Sequence, residues 1–167
     1  DMVAGHSLGE LSALVAAGAI DFEDGLRLVS IRSEAMQKAC EMNPGSMAAV
    51  LALETAKVEE ICSACEGTVI PANYNCEGQI VISGEKEAVE KACIKMKEAG
   101  AKRVLPLKVS GPFHSEMLKT AGEELYKVLE NFEIKDFEIP YVTNVTAKYV
   151  TNENKNEIKM QNTETVL

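Results

Sequence analysis

The chain of 167 residues is 46% hydrophobic and 26% charged, which is typical of a globular protein of one or two small domains. Seventeen Lys and Arg residues stand against twenty-six Asp and Glu residues, and the net charge of −9 argues against nucleic acid as the main partner. No window approaches the roughly 18 consecutive apolar residues of a membrane span, and the start lacks the pattern of a signal peptide. We therefore expect a cytoplasmic protein that does not bind membranes.

The first motif along the chain is G-x-S-x-G, at Gly5 to Gly9, where an apolar stretch meets a helical pattern. A serine at such a strand-to-helix turn has a strained backbone, flanking glycines remove Cβ atoms that would collide with it, and the next N–H group, on Leu8, faces any oxyanion formed there. A serine that only caps the helix explains the motif equally well. Because only Asp1 to Ala4 precede the motif, we expect the stump of a longer strand and a fragment cut at both ends.

Two helices are predicted after the motif. Helix formers run from Leu8 to Ala19, with Gly18 near the end to stop the turn, and a second helix is predicted from Phe22 to Met42. Arg32 falls within the apolar stripe of the second helix, where a charge must find an anion. A ligand carboxylate, a structural salt bridge and a snorkelling side chain are all compatible with that position.

Residues 46–106 change to a pattern of short pieces in the order β-α-β-β-α-β, which predicts an antiparallel sheet with two helices on one face. A loop, a helix with apolar positions from Met117 to Leu129, and a core strand in "EIPYVTNVT" are predicted to follow. The predicted fold class is α/β, with a partial α/β-hydrolase-like core from residues 1–45 and 107–167. The predicted insert is a ferredoxin-like (βαββαβ) subdomain from residues 46–106.

The five cysteines are odd in number, and we expect them to be reduced. Cys62 and Cys65 form a C-x-x-C without a second pair, so buried helix thiols explain the spacing better than a metal or redox site. No metal site is predicted.

A nucleophilic serine needs a base, and the chain contains two histidines. His6 lies inside the motif, and His114 lies in "SGPFHS", ahead of the last predicted helix. The aspartates between Ser7 and His114 stand at the start of a helix, so the order favours a Ser-His dyad whose histidine is oriented by a backbone carbonyl. A packed core histidine is the alternative for His114.

With these residues in place, the chain resembles the malonyl-CoA:acyl-carrier-protein transacylases, the acyltransferase family of fatty-acid synthesis. The resemblance rests on matching stretches in family order up to about Tyr149. They are "AGHSLGELSALVAAGAIDFEDGLRLVSIRSEAMQ", "SMAAVLAL", "NYNCEGQIVISG", "AGAKRVLPLKVSGPFHSEML" and "PYVTNVTA".

The resemblance implies a function for each candidate residue. Ser7 matches the serine that holds the acyl group, His114 the histidine that activates it, and Arg32 the arginine that binds the malonyl carboxylate. The Leu8 N–H would supply half of the oxyanion hole, and Phe113 matches the bulky position associated with malonyl units. The predicted substrate-binding residues are Arg32, Leu8, His6 and Phe113.

The resemblance also implies partners. These are malonyl-CoA and acyl carrier protein, with no metal or redox cofactor, in a protein that is a monomer. A basic patch concentrated between the second insert helix and His114, with Lys119 just after the histidine, is a hypothetical carrier site. It comprises Lys91, Lys95, Lys97, Lys102, Arg103, Lys108 and Lys119.

Two parts of the family pattern are not found in the sequence. The second oxyanion donor is expected in a region before Asp1, and the segment that orients the histidine is expected after Tyr149, where "TNENKNEIKMQNTETVL" matches poorly. A serine hydrolase or thioesterase with the same elbow, and a non-catalytic truncated module, are therefore the alternative functions.

Overall fold

The computed structural model describes residues 1–150 together with 152, 155, 158 and 159. The chain divides into two compact units, one formed by residues 1–36 and 119–167 and the other by residues 37–118. The second unit contains the whole of the predicted insert at residues 46–106. It also includes residues 37–45 before the insert and residues 107–118 after it. Most of the polar tail discussed above lies outside the described residues.

The described elements follow the predicted order closely. The first unit contains β1 (Val3–Ala4), α1 (Gly9–Ala16), most of α2 (Phe22–Met42), α5 (Lys119–Leu129), β6 (Tyr141–Val142) and β7 (Tyr149–Val150). The second unit contains β2 (Ser46–Leu51), α3 (Thr55–Ser63), β3 (Val69–Cys76), β4 (Gln79–Gly84), α4 (Lys86–Glu98), β5 (Arg103–Pro106) and a 3-10 turn (Glu116–Leu118).

The first unit is built around a small three-stranded sheet in the order β1-β6-β7. β1 runs parallel to β6, with Val3 opposite Tyr141, and β6 runs antiparallel to β7. The prediction of a core strand through all of "EIPYVTNVT" was wrong except for Tyr141–Val142, since residues 138–140 and those beyond Val142 are not in the strand. The chain turns there instead, because the N–H of Ala147 donates to the carbonyl of Thr143 and the chain returns as β7.

The first two helices of the chain are α1 and α2. α1 closes with a Schellman pattern, in which the Gly18 and Ala19 N–H groups donate to the carbonyls of Val15 and Leu14, and Gly18 has a φ of +76°. The predicted bounds of α2 are confirmed. The inward stripe of α2 is also confirmed, since Leu28, Arg32 and Ala35 are all buried.

The second unit contains a four-stranded antiparallel sheet in the order β3-β4-β2-β5, with α3 and α4 packed against it. Its core joins alternate residues of β2 and β4, such as Val50 and Ile82, to the apolar faces of the two helices. The two outer strands each contain a proline, Pro71 in β3 and Pro106 in β5, and β3 also has two register shifts against β4.

All five cysteines are free in the structure. Cys40, Cys62 and Cys93 are buried, Cys65 is half-buried and Cys76 is exposed. Within the described part of the chain, no helix combines the length and apolarity that crossing a bilayer requires.

Candidate active site

Ser7 occupies the sharp turn between β1 and α1. It has a φ of +52°, in the left-handed region that side-chain-bearing residues rarely adopt, as the elbow prediction requires. Gly5 is essential to this turn because a Cβ atom there would lie 1.9 Å from the carbonyl oxygen of Gly9. The predicted crowding at Gly9 was wrong, since a Cβ atom on Gly9 would meet no described atom within 4 Å.

Three polar atoms of Ser7 are held by neighbours from different parts of the first unit. Its N–H donates to Asn144 Oδ1 at 3.1 Å, and its carbonyl accepts from the Glu10 N–H at 3.0 Å. Its Oγ accepts a hydrogen bond from Arg32 Nη2 at 3.1 Å. The strained backbone and the hydroxyl are thus fixed together, which is what a nucleophile on a turn needs.

The N–H group of Leu8 is a candidate oxyanion donor. The N–H groups of Gly9 and Leu11 donate to the carbonyls of His6 and Leu8, whereas none of the described groups accepts from the Leu8 N–H. It lies at the positive end of the α1 dipole, directly after Ser7 in the chain. The group is therefore placed to stabilise negative charge next to the serine.

Arg32 brings a cation to the same place. Its side chain is buried, at 8% exposure, although a guanidinium is among the most costly groups to remove from water. Burial lowers the pKa of Arg32, and the negative charge of Glu10 opposes that shift. The sequence placed Arg32 on the inward face, and the structure shows that its first partner there is the Ser7 hydroxyl.

Glu10 was not predicted, and it is fully buried in the first turn of α1. Its carboxylate accepts a short hydrogen bond from the Tyr141 hydroxyl and another, at 2.9 Å, from the N–H of Asn144. One signal could have found it, because Glu10 precedes the buried Ala13, Leu14 and Ala17 at the spacing of one helix face. It is a charge on an apolar stripe, as Arg32 is.

The loop from Thr143 to Ala147 supplies the acceptor for the Ser7 N–H. The turn closes through the N–H of Thr143, which donates to the carbonyl of Lys148 at 3.1 Å, and through contact of the Thr143 and Thr146 hydroxyls at 2.6 Å. Asn144 is held at its backbone by Glu10 and contacts Ser7 with its side chain. Neither Asn144 nor Tyr141 was predicted to belong to the site.

The structure places His114 and Phe113 in the other unit. His114 is half-buried, with a φ of +57°, in a turn where Ser115 Oγ donates to the carbonyl of Pro112 at 2.7 Å. Gly111 packs so tightly on Cys40 that a Cβ atom there would lie 2.2 Å from its Sγ. Phe113 packs against a small apolar cluster that includes Met47, Ala49 and Val81.

The other predicted residues are at the surface. His6 is exposed on the Ser7 turn. Every member of the predicted basic patch is exposed as well. Lys91 pairs with Glu66 at 3.3 Å and Lys95 donates to the carbonyl of Ala64, whereas none of the described residues pairs with Lys97, Lys102 or Arg103. The segment expected to orient the histidine lies mostly outside the described residues.

A strained serine, a helix N-terminus beside it and a buried arginine on its hydroxyl lie together in the first unit. In agreement with this geometry, residues 1–166 match the acyl transferase domain family, and the chain belongs to that family. The malonyl CoA-acyl carrier protein transacylase of Bacillus subtilis (strain 168) is 48% identical over 154 residues, which are 90% of this chain and 49% of that protein.

Solved structures give the same result. MCAT from Streptococcus pneumoniae superposes with a TM-score of 0.92 at 46% identity, covering 99% of this chain and 54% of that one. A malonyl-transacylase in complex with its type II PKS acyl-carrier protein (PlMCAT:AntF, holo) superposes with a TM-score of 0.93 at 41% identity, covering 99% and 53%. The chain spans about half the length of the curated relatives that it matches.

Proposed function

We propose that this chain supplies the nucleophile of a malonyl-CoA:acyl-carrier-protein transacylase, which moves a malonyl group from coenzyme A to the phosphopantetheine thiol of the carrier in fatty-acid synthesis. The observation that supports this most directly is the hydrogen bond of 3.1 Å from the buried Arg32 guanidinium to Ser7 Oγ. An arginine in that position places a carboxylate-binding fork next to the atom that would hold the acyl chain.

In the first half of the proposed reaction, Ser7 Oγ attacks the thioester carbon of malonyl-CoA while His114 takes the hydroxyl proton. The tetrahedral intermediate has its negative charge on the former carbonyl oxygen, where the Leu8 N–H stabilises it. The carbon–sulfur bond then breaks, and the departing thiolate takes the proton from His114. The products are free coenzyme A and a malonyl ester on Ser7.

The second half reverses the steps with a different thiol. His114 takes the proton of the phosphopantetheine thiol, whose sulfur attacks the ester carbon. The bond to Ser7 Oγ breaks, and Oγ recovers a proton from His114. Serine and histidine end in their starting states, so the proposed reaction needs no metal or redox cofactor.

In this proposal, Arg32 determines the preference for a malonyl group over an acetyl group. A malonyl group places a second carboxylate against the guanidinium, while an acetyl group leaves that buried cation without a ligand. Phe113 and His6 are assigned to substrate binding as well, Phe113 as the bulky side chain that favours malonyl over larger units. Arg32→Ala is expected to shift preference from malonyl-CoA toward acetyl-CoA, and an unchanged preference would remove Arg32 from the carboxylate site.

The proposed carrier site is the basic patch. Its residues in α4, in the turn before β5, in β5 and in the segment after β5 are exposed on a chain whose net charge is −9, so they offer local attraction to an acidic partner. Reversing Lys102 and Arg103 to glutamate should raise the apparent KM for carrier protein and leave that for malonyl-CoA unchanged. The matched control is reversal of Lys38, an exposed lysine on α2 outside the patch.

We also propose a specific fold type for each of the two units. The strand order β3-β4-β2-β5 with two packed helices supports a ferredoxin-like subdomain, and the strand-turn-helix around Ser7 supports a partial α/β-hydrolase-like core. We further propose a cytoplasmic location, in keeping with the sequence composition, and a monomer, in keeping with the family resemblance of the sequence.

The test is intact mass after incubation with malonyl-CoA and, separately, with acetyl-CoA. Ser7→Ala is the control, and circular dichroism establishes that both proteins are folded. A malonyl adduct that the Ser7→Ala protein lacks would establish Ser7 as the acyl acceptor in this chain. A folded chain without an adduct would overturn the proposal for this chain and favour a non-catalytic module, and rapid loss of an acetyl adduct to water would favour a hydrolase.

A further inference from the structure

Two buried side chains of opposite charge flank Ser7. Arg32 is 8% exposed and donates to the hydroxyl, while Glu10 is 0% exposed and connects to the same residue twice. Its backbone N–H donates to the Ser7 carbonyl, and its carboxylate holds the N–H of Asn144, whose side chain accepts from the Ser7 N–H. The mechanism above uses the positive member of this pair and leaves the negative one without a role.

We propose that Glu10 is a specificity-determining positioning residue, which balances the charge of Arg32 while the site is empty and limits how tightly Arg32 holds an anionic acyl group. The inference rests on the proposed function of Arg32. It concerns a residue that does not contact the reacting atoms and acts through the guanidinium.

The packing makes Glu10 suited to this role. A fully buried carboxylate persists only with strong hydrogen bonds or a nearby cation, and Glu10 has bonds from Tyr141 and Asn144. Tyr141 is itself fixed, because its ring stacks on Phe137 with centroids 5.8 Å apart. The carboxylate is therefore held in one place, and its negative charge opposes the lowering of the Arg32 pKa by burial.

The proposal predicts that the Glu10 charge weakens binding of a ligand that has a carboxylate. A purely structural residue would not have this effect. When a malonyl carboxylate binds Arg32, the site contains two negative charges and one positive charge, so Glu10 opposes binding. Removal of the Glu10 charge should strengthen binding of an acyl group that has a carboxylate. A residue that only supported the fold would weaken binding of every ligand when altered.

The experiment uses Glu10→Gln, which keeps the acceptor oxygen and removes the charge, in a Ser7→Ala background where no acyl transfer occurs. Dissociation constants for malonyl-CoA and acetyl-CoA are measured by titration calorimetry. We expect malonyl-CoA to bind roughly fivefold to tenfold more tightly, the change that about 1 to 1.4 kcal/mol produces, with acetyl-CoA unchanged. Glu34→Gln, which removes an exposed charge on α2, is the matched control and should change neither constant.

Equal changes for both thioesters, or weaker malonyl-CoA binding, would overturn the inference. If the Ser7→Ala chain itself binds malonyl-CoA no better than acetyl-CoA, the proposed function fails instead. A ligand-free measurement then decides whether the two charges are coupled.

That measurement is thermal unfolding of Glu10→Gln, Arg32→Met and the double variant. Glu10→Gln should lower Tm by roughly 6 to 12 °C because it leaves Arg32 without its counter-charge, and adding Arg32→Met should restore at least half of the loss. A double variant as unstable as the sum of the single variants would contradict charge balance. If Glu10→Gln alone does not fold, recovery of folding in the double variant tests the same coupling.

Discussion

The two units of this chain hold their sheets together in different ways. The four-stranded sheet of the second unit has paired strands of four to eight residues and an apolar core shared with two helices. The sheet of the first unit has strands of two residues, and its neighbourhood contains the buried charges Glu10 and Arg32. Both units have an apolar core. The second unit adds long backbone ladders, whereas the first combines short strands with buried charges around the strained Ser7.

Gly5→Ala is expected to give the largest effect, and to disrupt the first unit alone. The added Cβ would lie 1.9 Å from the Gly9 oxygen, and only backbone movement can relieve that contact. We expect a loss of more than about 4 kcal/mol in the free energy of unfolding. Hydrogen exchange read by peptide should show α1 and β6 unprotected and β2 to β5 unchanged.

Gly9→Ala is the matched control for that substitution. A Cβ on Gly9 has no described atom within 4 Å, so stability should change by less than about 0.5 kcal/mol. Equal damage from the two substitutions would show that the crowding of the turn is not what makes Gly5 necessary.

Ile82→Ala should damage the second unit. Ile82 is fully buried in the core between β4 and the two helices, and truncation there is expected to cost about 3 kcal/mol through lost burial and a cavity. Chemical unfolding measures the loss, and peptides of β2 to β5 should lose protection first. Earlier loss of hydrogen-exchange protection in β1 and β6 would contradict the expectation that this substitution destabilises the second unit first.

Tyr141→Phe tests the polar network with a smaller change. It removes the hydroxyl that donates to the Glu10 carboxylate and keeps the ring that stacks on Phe137. A lost hydrogen bond to a buried charge should cost about 2 kcal/mol. Tyr149→Phe, at an exposed tyrosine of β7, is the comparison and should cost much less in the same unfolding experiment.

The smallest expected effect concerns alkaline pH and the second unit. Burial raises the pKa of the Cys62 thiol to about 12 from its ordinary 9.0, with Cys65 and Cys93 adding to the shift. The folded chain therefore keeps a proton that the unfolded chain releases above pH 9. The stability contributed by the neutral thiol is complete below pH 9 and is lost as the pH rises toward 12.

Urea midpoints measured between pH 8 and pH 10.5 test this sign. The midpoint of Cys62→Ala should fall less steeply with pH than that of the parent chain, and Cys76→Ala, at an exposed thiol, should follow the parent. A Cys62→Ala slope that equals the parent slope would remove Cys62 as a source of the alkaline instability.

Local patterns predicted much of this structure because they depend on nearby residues. The bounds of α2, the order of elements from β2 to β5 and the inward position of Arg32 follow from periodicity and turn residues. Glu10 escaped prediction because an acidic residue in the first turn of a helix is ordinarily a solvated partner of the helix dipole. Its burial depends on Tyr141 and Asn144, more than 130 residues away in the chain.

The end of β6 shows the same limit. "YVTNVT" has the β-branched residues of a strand, but Asn144 uses its backbone N–H on Glu10 and its side chain on Ser7. A strand through Asn144 would require different partners for those groups. The long-range contacts of one asparagine thus decide where a locally favourable strand ends.

The prolines of the outer strands have a consequence for self-association. An exposed sheet edge can template the growth of fibrils by accepting another strand, and proline, which has no N–H, and local bulges both discourage that addition. Here both edges contain a proline, Pro71 on one side and Pro106 on the other, and the Pro71 strand is irregular in two places. Addition of another strand is therefore disfavoured at both edges of this sheet.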